Sequence, residues 1–313
     1  MKFSRRHALL AGAALPFAAP ALLRARPARA QATDDHGPAT GTPPFPLHQV
    51  FNLGDLTAMT LVAGAAQQED PHSVFGLNVD DATFQQASEE NFIPAERTVT
   101  VFQPTLVMAG DNRILFDSGM MAGGTITALQ DAGLTPADIT HVVLTHMHPD
   151  HIGGLTDDAG APTFPSAAYV AGRVEFDAWA AMNDETFEAK VRPFEDRMTF
   201  VAEGDEVAPG ITAMETFGHT PGHMSFMLDG GAQRMLVNGD VVNHYVWSMQ
   251  HPDWDVLYDA DKAMAAETRR RVLGMLAEQR IAMQGYHMPA PGVGFVEARD
   301  EGFRWVPATY QFV

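Results

Sequence analysis

The 313-residue chain contains no cysteine. That excludes disulfides, thiolate metal sites and a cysteine nucleophile, and leaves imidazole, carboxylate and hydroxyl groups to carry any chemistry. Basic residues are scarce, with 20 Lys and Arg against 39 Asp and Glu. Six of the 20 (Lys2, Arg5, Arg6, Arg24, Arg26 and Arg29) fall in the first 30 residues, so the chain beyond Ala30 has 14 basic residues and a net charge of −25. Such a surface repels polyanions and excludes nucleic acid and anionic lipid as partners. Solubility is a sufficient account of the acidity itself. Low-complexity tracts and fixed-period repeats are also missing. What remains, 46% hydrophobic and 19% charged residues, is the composition of an ordinary globular protein.

The N-terminus differs from the rest. Arg5-Arg6 precedes the uncharged apolar run Ala8 to Leu23, and Ala28-Arg29-Ala30 offers a small-residue cleavage site. The run has 16 residues and is interrupted by Pro16 and Pro20, short of the ~20 that span a membrane. Residues 1–30 therefore read as a twin-arginine export signal, which predicts a periplasmic or secreted protein with no membrane anchoring after cleavage. Residues 31–46, rich in Gly, Pro and Thr, suit a flexible segment, and 47–313 form one folded domain.

Within that domain "HQVFNLGDLTAMTLVAG", "TVTVFQPTLVMAG" and "RILFDSG" predict successive strands, with a polar, irregular stretch from Gln67 to Arg97 that suits a surface cap or lid. A helix is expected over Gly124–Ala132 with Thr125 as N-cap, then amphipathic helices over Arg173–Met182 and Thr186–Met198, and a long one over Asp259–Glu278. "HVVL", "SAAYVAG", "ITAMETF", "MSFML", "RMLVNGD" and "RIAMQGY" read as short strands. Strands alternating with helices indicate an α/β layered domain.

Three of the 13 histidines and an aspartate lie within six positions, in "THMHPDHIGG". His146 and His148 follow a strand, and so do His219, Asp240 and His287. If those strands share one sheet, their carboxyl ends form a single crevice. In an extended segment His146 and His148 point the same way, and Pro149 favours that geometry, so both can clamp one ion while Asp150 and His151 turn toward a second. The donors divide into His146, His148 and His219 for one metal, Asp150, His151 and His287 for the other, and Asp240 as a bridge. Five imidazoles and two carboxylates suit zinc, with manganese, cobalt or iron as substitutes. Three ligands per ion and a bridge leave a coordination position for water, the mark of a catalytic site.

The His-x-His-x-Asp-His string at His146 to His151 resembles the signature of the metallo-β-lactamase superfamily. "ILFDSG", "GDEVAPGI", "FGHTPGH" and "NGD" resemble further elements of that pattern. The likeness is greatest to the methyl parathion hydrolase and quorum-quenching lactonase groups, through "HMPAPGVGF" and the tail "GFRWVPATYQF". The resemblance implies a four-layer αββα sandwich with a dinuclear site at one edge. It also implies that Asp117 supports the metal histidines from behind, and that in "GHTPGH" His219 is the ligand and His223 its support.

By the same resemblance the helices after the signature string stand where relatives build an aromatic wall. Helical spacing favours a core role for Phe176, Trp179, Phe187 and Phe194. Chain position makes Trp179 the first candidate for substrate contact, with Tyr245, Trp247 and Phe92 behind it. Acyl homoserine lactonases often carry a tyrosine three residues beyond the bridging aspartate, where this chain has Asn243. The expected function is hydrolysis of neutral, partly apolar esters, lactones or phosphotriesters by a hydroxide bridging two divalent ions, with Asp150 and Asp240 as catalytic carboxylates. The partner is then a small-molecule ester, and a homodimer stays open. A β-lactamase, a glyoxalase II-like thioester hydrolase and a non-catalytic periplasmic metal-binding protein are the alternatives.

Overall fold

The computed structural model describes residues 46–312. The expected leader and all of the flexible segment but Pro46 lie outside the described residues. The chain runs through β1 (His48–Asn52), β2 (Leu56–Leu61), β3 (Gly64–Glu69), α1 (Asp81–Glu90), β4 (Arg97–Phe102), β5 (Thr105–Ala109), β6 (Asn112–Phe116), α2 (Ala122–Asp131) and β7 (His141–Val143). There follow α3 (Pro149–Ile152), β8 (Ala168–Gly172), α4 (Arg173–Met182), α5 (Glu185–Lys190), β9 (Met198–Val201), β10 (Glu206–Ala208) and β11 (Ile211–Glu215). The last part comprises β12 (Met224–Asp229), β13 (Arg234–Val237), α6 (Lys262–Gln279), β14 (Ala282–Gln284), β15 (Val293–Ala298) and β16 (Phe303–Pro307).

Two seven-stranded sheets, ordered β1-β2-β5-β6-β7-β8-β9 and β10-β11-β12-β13-β14-β15-β16, carry alternating apolar residues that face two ways. Leu56, Ala58, Ile114, Phe116 and Val143 of the first sheet meet Ile211, Phe226, Leu228, Met235 and Val237 of the second in one core. The opposite face of the first sheet, with Leu61, Leu106, Leu115 and Val142, is covered by Leu129 of α2, Phe176 of α4 and Phe187 of α5. The outer face of the second, with Leu236, Met283 and Val296, is covered by Val272, Leu273 and Leu276 of α6. The result is the expected four-layer αββα sandwich. Among the described residues no helix is long and apolar enough to cross a membrane.

Several local expectations need correction. The Gln67–Arg97 stretch is ordered: it completes the hairpin β3–β4 and contains α1, which begins where the Asp80 carboxylate accepts the Thr83 N–H. Phe84 of α1 stacks on Trp247, whose Nε1 donates to Ser88 Oγ, so α1 is held by long-range aromatic contacts that its polar sequence does not announce. Thr125 does not cap α2, because the helix begins three residues earlier and the buried hydroxyl donates to Ser118 O. The helix expected over Thr186–Met198 is α5 followed by a 3-10 turn over Arg192–Arg197, since Pro193 cannot continue an α-helical ladder.

Candidate metal centre

The strands that precede the histidines do not share a sheet. His146 and His148 follow β7 in the first sheet, whereas His219, Asp240 and His287 follow β11, β13 and β14 in the second. The crevice is the shared edge of two packed sheets rather than the carboxyl end of one.

Asp117, buried in the left-handed region at the end of β6, orders the signature string. Its Oδ1 accepts from the Thr145 N–H, and its Oδ2 accepts from Thr145 Oγ1 and from His151 Nδ1, all within 2.9 Å. His148 is extended and Pro149 opens the short α3, so Asp150 and His151 turn away from the two preceding imidazoles. His223 lies outside the cluster and steadies it: Nε2 accepts from the Asp240 N–H at 2.9 Å while Nδ1 meets Thr216 Oγ1 at 2.8 Å.

All seven expected ligands converge. His146 with His148 and His219, His146 with His151 and Asp240, and Asp150 with His151 and His287 form three groups whose donor atoms lie within 4.8 Å of one another. Asp240 lies between the halves, with Oδ1 3.5 Å from His151 Nε2 and Oδ2 3.2 Å from His287 Nε2 and 3.5 Å from His219 Nε2.

The far sides of the rings set their tautomers. The Nδ1 atoms of His219, His151 and His287 donate to Asp259 Oδ1, Asp117 Oδ2 and Val101 O. Their Nε2 atoms therefore face inward, and present lone pairs wherever a cation takes the place of a proton. His148 Nδ1 stands 3.1 Å from His146 Nε2 and 3.0 Å from His219 Nε2. His151 Nε2 and Asp240 Oδ1 are buried without a hydrogen-bond partner. Lone pairs crowded together and left unpartnered fit divalent cations and fit no protein donor.

Charge follows the same division. Burial, reinforced by neighbouring imidazoles, holds His146 well below its ordinary pKa and brings His148 to about 3. Burial also disfavours charge on His151 and His287. There Asp150, Asp117 and Asp240 outweigh it, holding His151 well above its ordinary value, and Asp240 and Asp150 raise His287 to about 10. Carboxylates gathered around one point demand positive charge, which protons or metal ions supply.

His148, Asp150, His219, Asp240 and His287 form the floor of a cavity of about 610 Å3 walled by Phe75, Phe102, Met120, Leu257 and Tyr258, with Asn243 beside Asp240, while His146 and His151 lie beneath it. The hairpin β3–β4 supplies one wall, so the lid expected from Gln67 to Arg97 does border the site.

The expected aromatic contacts are elsewhere. Trp179 is 8% exposed, packs in the core with Phe176 and Phe187, donates through Nε1 to Glu175 Oε1, and does not line the cavity. Its ring packs edge-to-face with that of His148, which does line the cavity. Phe92 is 96% exposed just past α1 and away from the cavity. Tyr245 and the buried Trp247 line an adjoining cavity of about 460 Å3 that shares His287.

Sequence reasoning missed Glu175, Asp259 and Arg269, which are buried charges behind the histidines. A signal existed, since Glu175 and Arg269 interrupt the apolar faces of α4 and α6. Phe75, Leu257 and Tyr258 carried no such signal, because they lie in loops.

Residues 100–278, more than half of the chain, match the metallo-beta-lactamase superfamily, and the chain belongs to that superfamily. More particularly, it is 32% identical over 106 residues to an N-acyl homoserine lactonase of Bacillus cereus, a match covering 33% of this chain and 38% of that protein. It is 27% identical over 162 residues to the atrochrysone carboxyl ACP thioesterase dmxR1 of a Cryptosporiopsis species, covering 50% of this chain and 44% of the relative. The chain thus spans less than half the length of these curated relatives. Among solved structures it is similar to AidC, a dizinc quorum-quenching lactonase in complex with its product N-hexanoyl-L-homoserine (25% identity, TM-score 0.77, 84% of this chain and 98% of that one). It also shares the fold of the hydrolase AbOPH (24% identity, TM-score 0.78, 85% and 99%).

Proposed function

We propose that this chain is an exported, dinuclear metal-dependent hydrolase of neutral, partly apolar esters, with lactones as the leading class and aryl or alkyl esters and phosphotriesters behind them. The observation that carries this reading is the convergence of five imidazoles with Asp150 and Asp240, of which His148, His219, His287 and both carboxylates line an apolar-walled cavity. Two divalent cations held there, zinc before manganese, cobalt or iron, would supply Lewis acidity and a water of lowered pKa. The split of the donor set into two halves joined by Asp240 supports a count of two.

The side chains have distinct tasks. None is needed as a nucleophile. Water oxygen bonds to the carbonyl carbon or phosphorus, the bond to the leaving oxygen breaks, and a proton travels to the departing alkoxide. Asp150, with 18% of its side chain exposed against 6% for Asp240, is the ligand carboxylate most open to the cavity and carries that proton. Burial opposes its charge, but His151 and His287 bring it to about 2, so it is ionised. Phe75, Met120, Leu257 and Tyr258 exclude water and bury the apolar arm. The lactonase relatives and the product-bound dizinc lactonase support lactones. The thioesterase relative favours one second reading, thioester hydrolysis in the same cavity.

Metal-loaded protein should be assayed against an N-acyl homoserine lactone, an aryl ester, a phosphotriester and a thioester. Turnover of the lactone or ester, abolished by chelation, is expected. Absence of turnover across the set would leave a metal-binding protein without catalysis.

A further inference from the structure

Glu175 stands in the first turn of α4 and is 1% exposed. Its Oε1 accepts from the Met147 N–H at 3.0 Å and from Trp179 Nε1 at 2.6 Å, and its Oε2 accepts from the Gly222 N–H at 2.9 Å. Met147 separates His146 from His148 at the end of the first sheet. Gly222 lies in the turn between His219 and His223, which follows β11 of the second. One buried carboxylate therefore holds both chain segments that must meet for three imidazoles to converge.

The fit is close. A Cβ on Gly222 would lie 2.1 Å from the Glu175 nitrogen, so the turn rests directly on α4. From the same helix the Trp179 ring packs edge-to-face with the His148 ring, with centroids 5.6 Å apart at 87°. An acidic residue near a helix N-terminus is favourable in water, but that gain does not require burial. Burying a carboxylate carries a large desolvation cost, and an apolar residue would fill the same place more cheaply. The burial is explained if the hydrogen bonds themselves are what the position supplies.

We infer that Glu175 and Trp179 are a positioning pair that sets the geometry of the His146–His148–His219 half of the centre. The inference rests on the dinuclear reading above. The other half is independent of it, because His151 is oriented by Asp117 and His287 by the Val101 carbonyl.

The test is a Co2+ titration of the full, metal-free chain followed by visible absorption, in which each step reports its own donor set. Two steps are expected, and His148→Ala identifies the one that belongs to the three-histidine half. Glu175→Gln, which turns an amide N–H toward backbone donors, should weaken that step by about 10- to 100-fold and leave the other unchanged. Trp179→Phe keeps an aromatic six-membered ring and removes the indole N–H together with the rest of the five-membered ring. It should shift the same step in the same direction by less, and it keeps the test decisive should Glu175→Gln fold poorly. Weakening of both steps alike, or of neither, overturns the positioning role. A wild-type chain that takes up only one Co2+ overturns the dinuclear reading, and this inference with it.

Discussion

Arg269 Nη2 lies 2.8 Å from Asp259 Oδ2, and neither side chain is more than 1% exposed. The other Asp259 oxygen holds His219 Nδ1 at 2.9 Å, while Arg269 also donates to the carbonyls of Val241 and Pro252. Helix α6, on the outside of the second sheet, thereby reaches a metal-site imidazole and the chain just past Asp240.

Removing one member of a buried ion pair strands the other charge. Arg269→Met should therefore lower the unfolding free energy by about 3 to 5 kcal/mol in denaturant titration. A loss below about 1 kcal/mol, the range of exposed pairs, would mean that water reaches Asp259 and that the pair does not anchor His219.

Metal content tests the ligand count directly. Elemental analysis of the protein as purified should give close to two transition-metal ions per chain, and Asp240→Ala should lose at least one. A stoichiometry of one under metal-replete conditions would remove the two-ion chemistry.

The metal-site string was legible because its chemistry is local: His146 to His151 are six consecutive positions whose extended and turned geometry follows from Pro149. His219, Asp240 and His287 could be found as polar residues just past strands. That those strands belong to two sheets could not be read from spacing, since β7 and β14 are both three-residue, mostly buried strands paired in parallel with the strand before them, and nothing within three residues names the partner. Trp179 shows the same limit. Helical periodicity identified a buried face correctly, but whether that face meets substrate or core depends on a packing partner distant in the chain. The residues that do wall the cavity, such as Phe75 and Tyr258, sit in irregular segments where no periodicity operates.

Acid stability should carry the mark of His244. The ring stacks on Trp247, Nδ1 accepts the N–H groups of Val246 and Trp247, and burial brings its pKa from 6.5 to about 3. Above pH 6.5 both folded and unfolded chains leave it neutral. Between 6.5 and about 3 only the unfolded chain takes the proton, so stability falls with pH at up to about 1.4 kcal/mol per unit. Below 3 the loss is complete. His244→Asn offers an oxygen to the same N–H groups and cannot titrate, so its stability should decline less steeply than wild type across this window. Parallel declines would show that His244 is protonated in the fold.

Export is tested at the twin arginines. Arg5→Lys with Arg6→Lys should retain precursor in the cytoplasm, scored by fractionation and by the size difference on leader removal. Normal delivery of that variant would sink the assignment to this pathway.

Substrate preference should track the loop aromatic rather than the helix tryptophan. Tyr258 is 54% exposed, with its ring centroid 6.5 Å from that of His148, and Leu257 beside it is 50% exposed. An aryl leaving group that covers roughly 60 to 100 Å2 of this surface gains about 1.5 to 2.5 kcal/mol at 25 cal/mol per Å2. Tyr258→Ala should then lower kcat/KM for an aryl ester by about 10- to 70-fold and for a small acetate ester much less. Its exposure means that thermal stability and metal content should hardly move. Trp179→Ala is the contrasting case: a core truncation should cost about 3 to 5 kcal/mol of stability and weaken both esters alike, since its ring braces His148 and touches no substrate. A selective loss of the aryl ester in Trp179→Ala, with none in Tyr258→Ala, would return the apolar wall to α4 and require the cavity to open toward that helix.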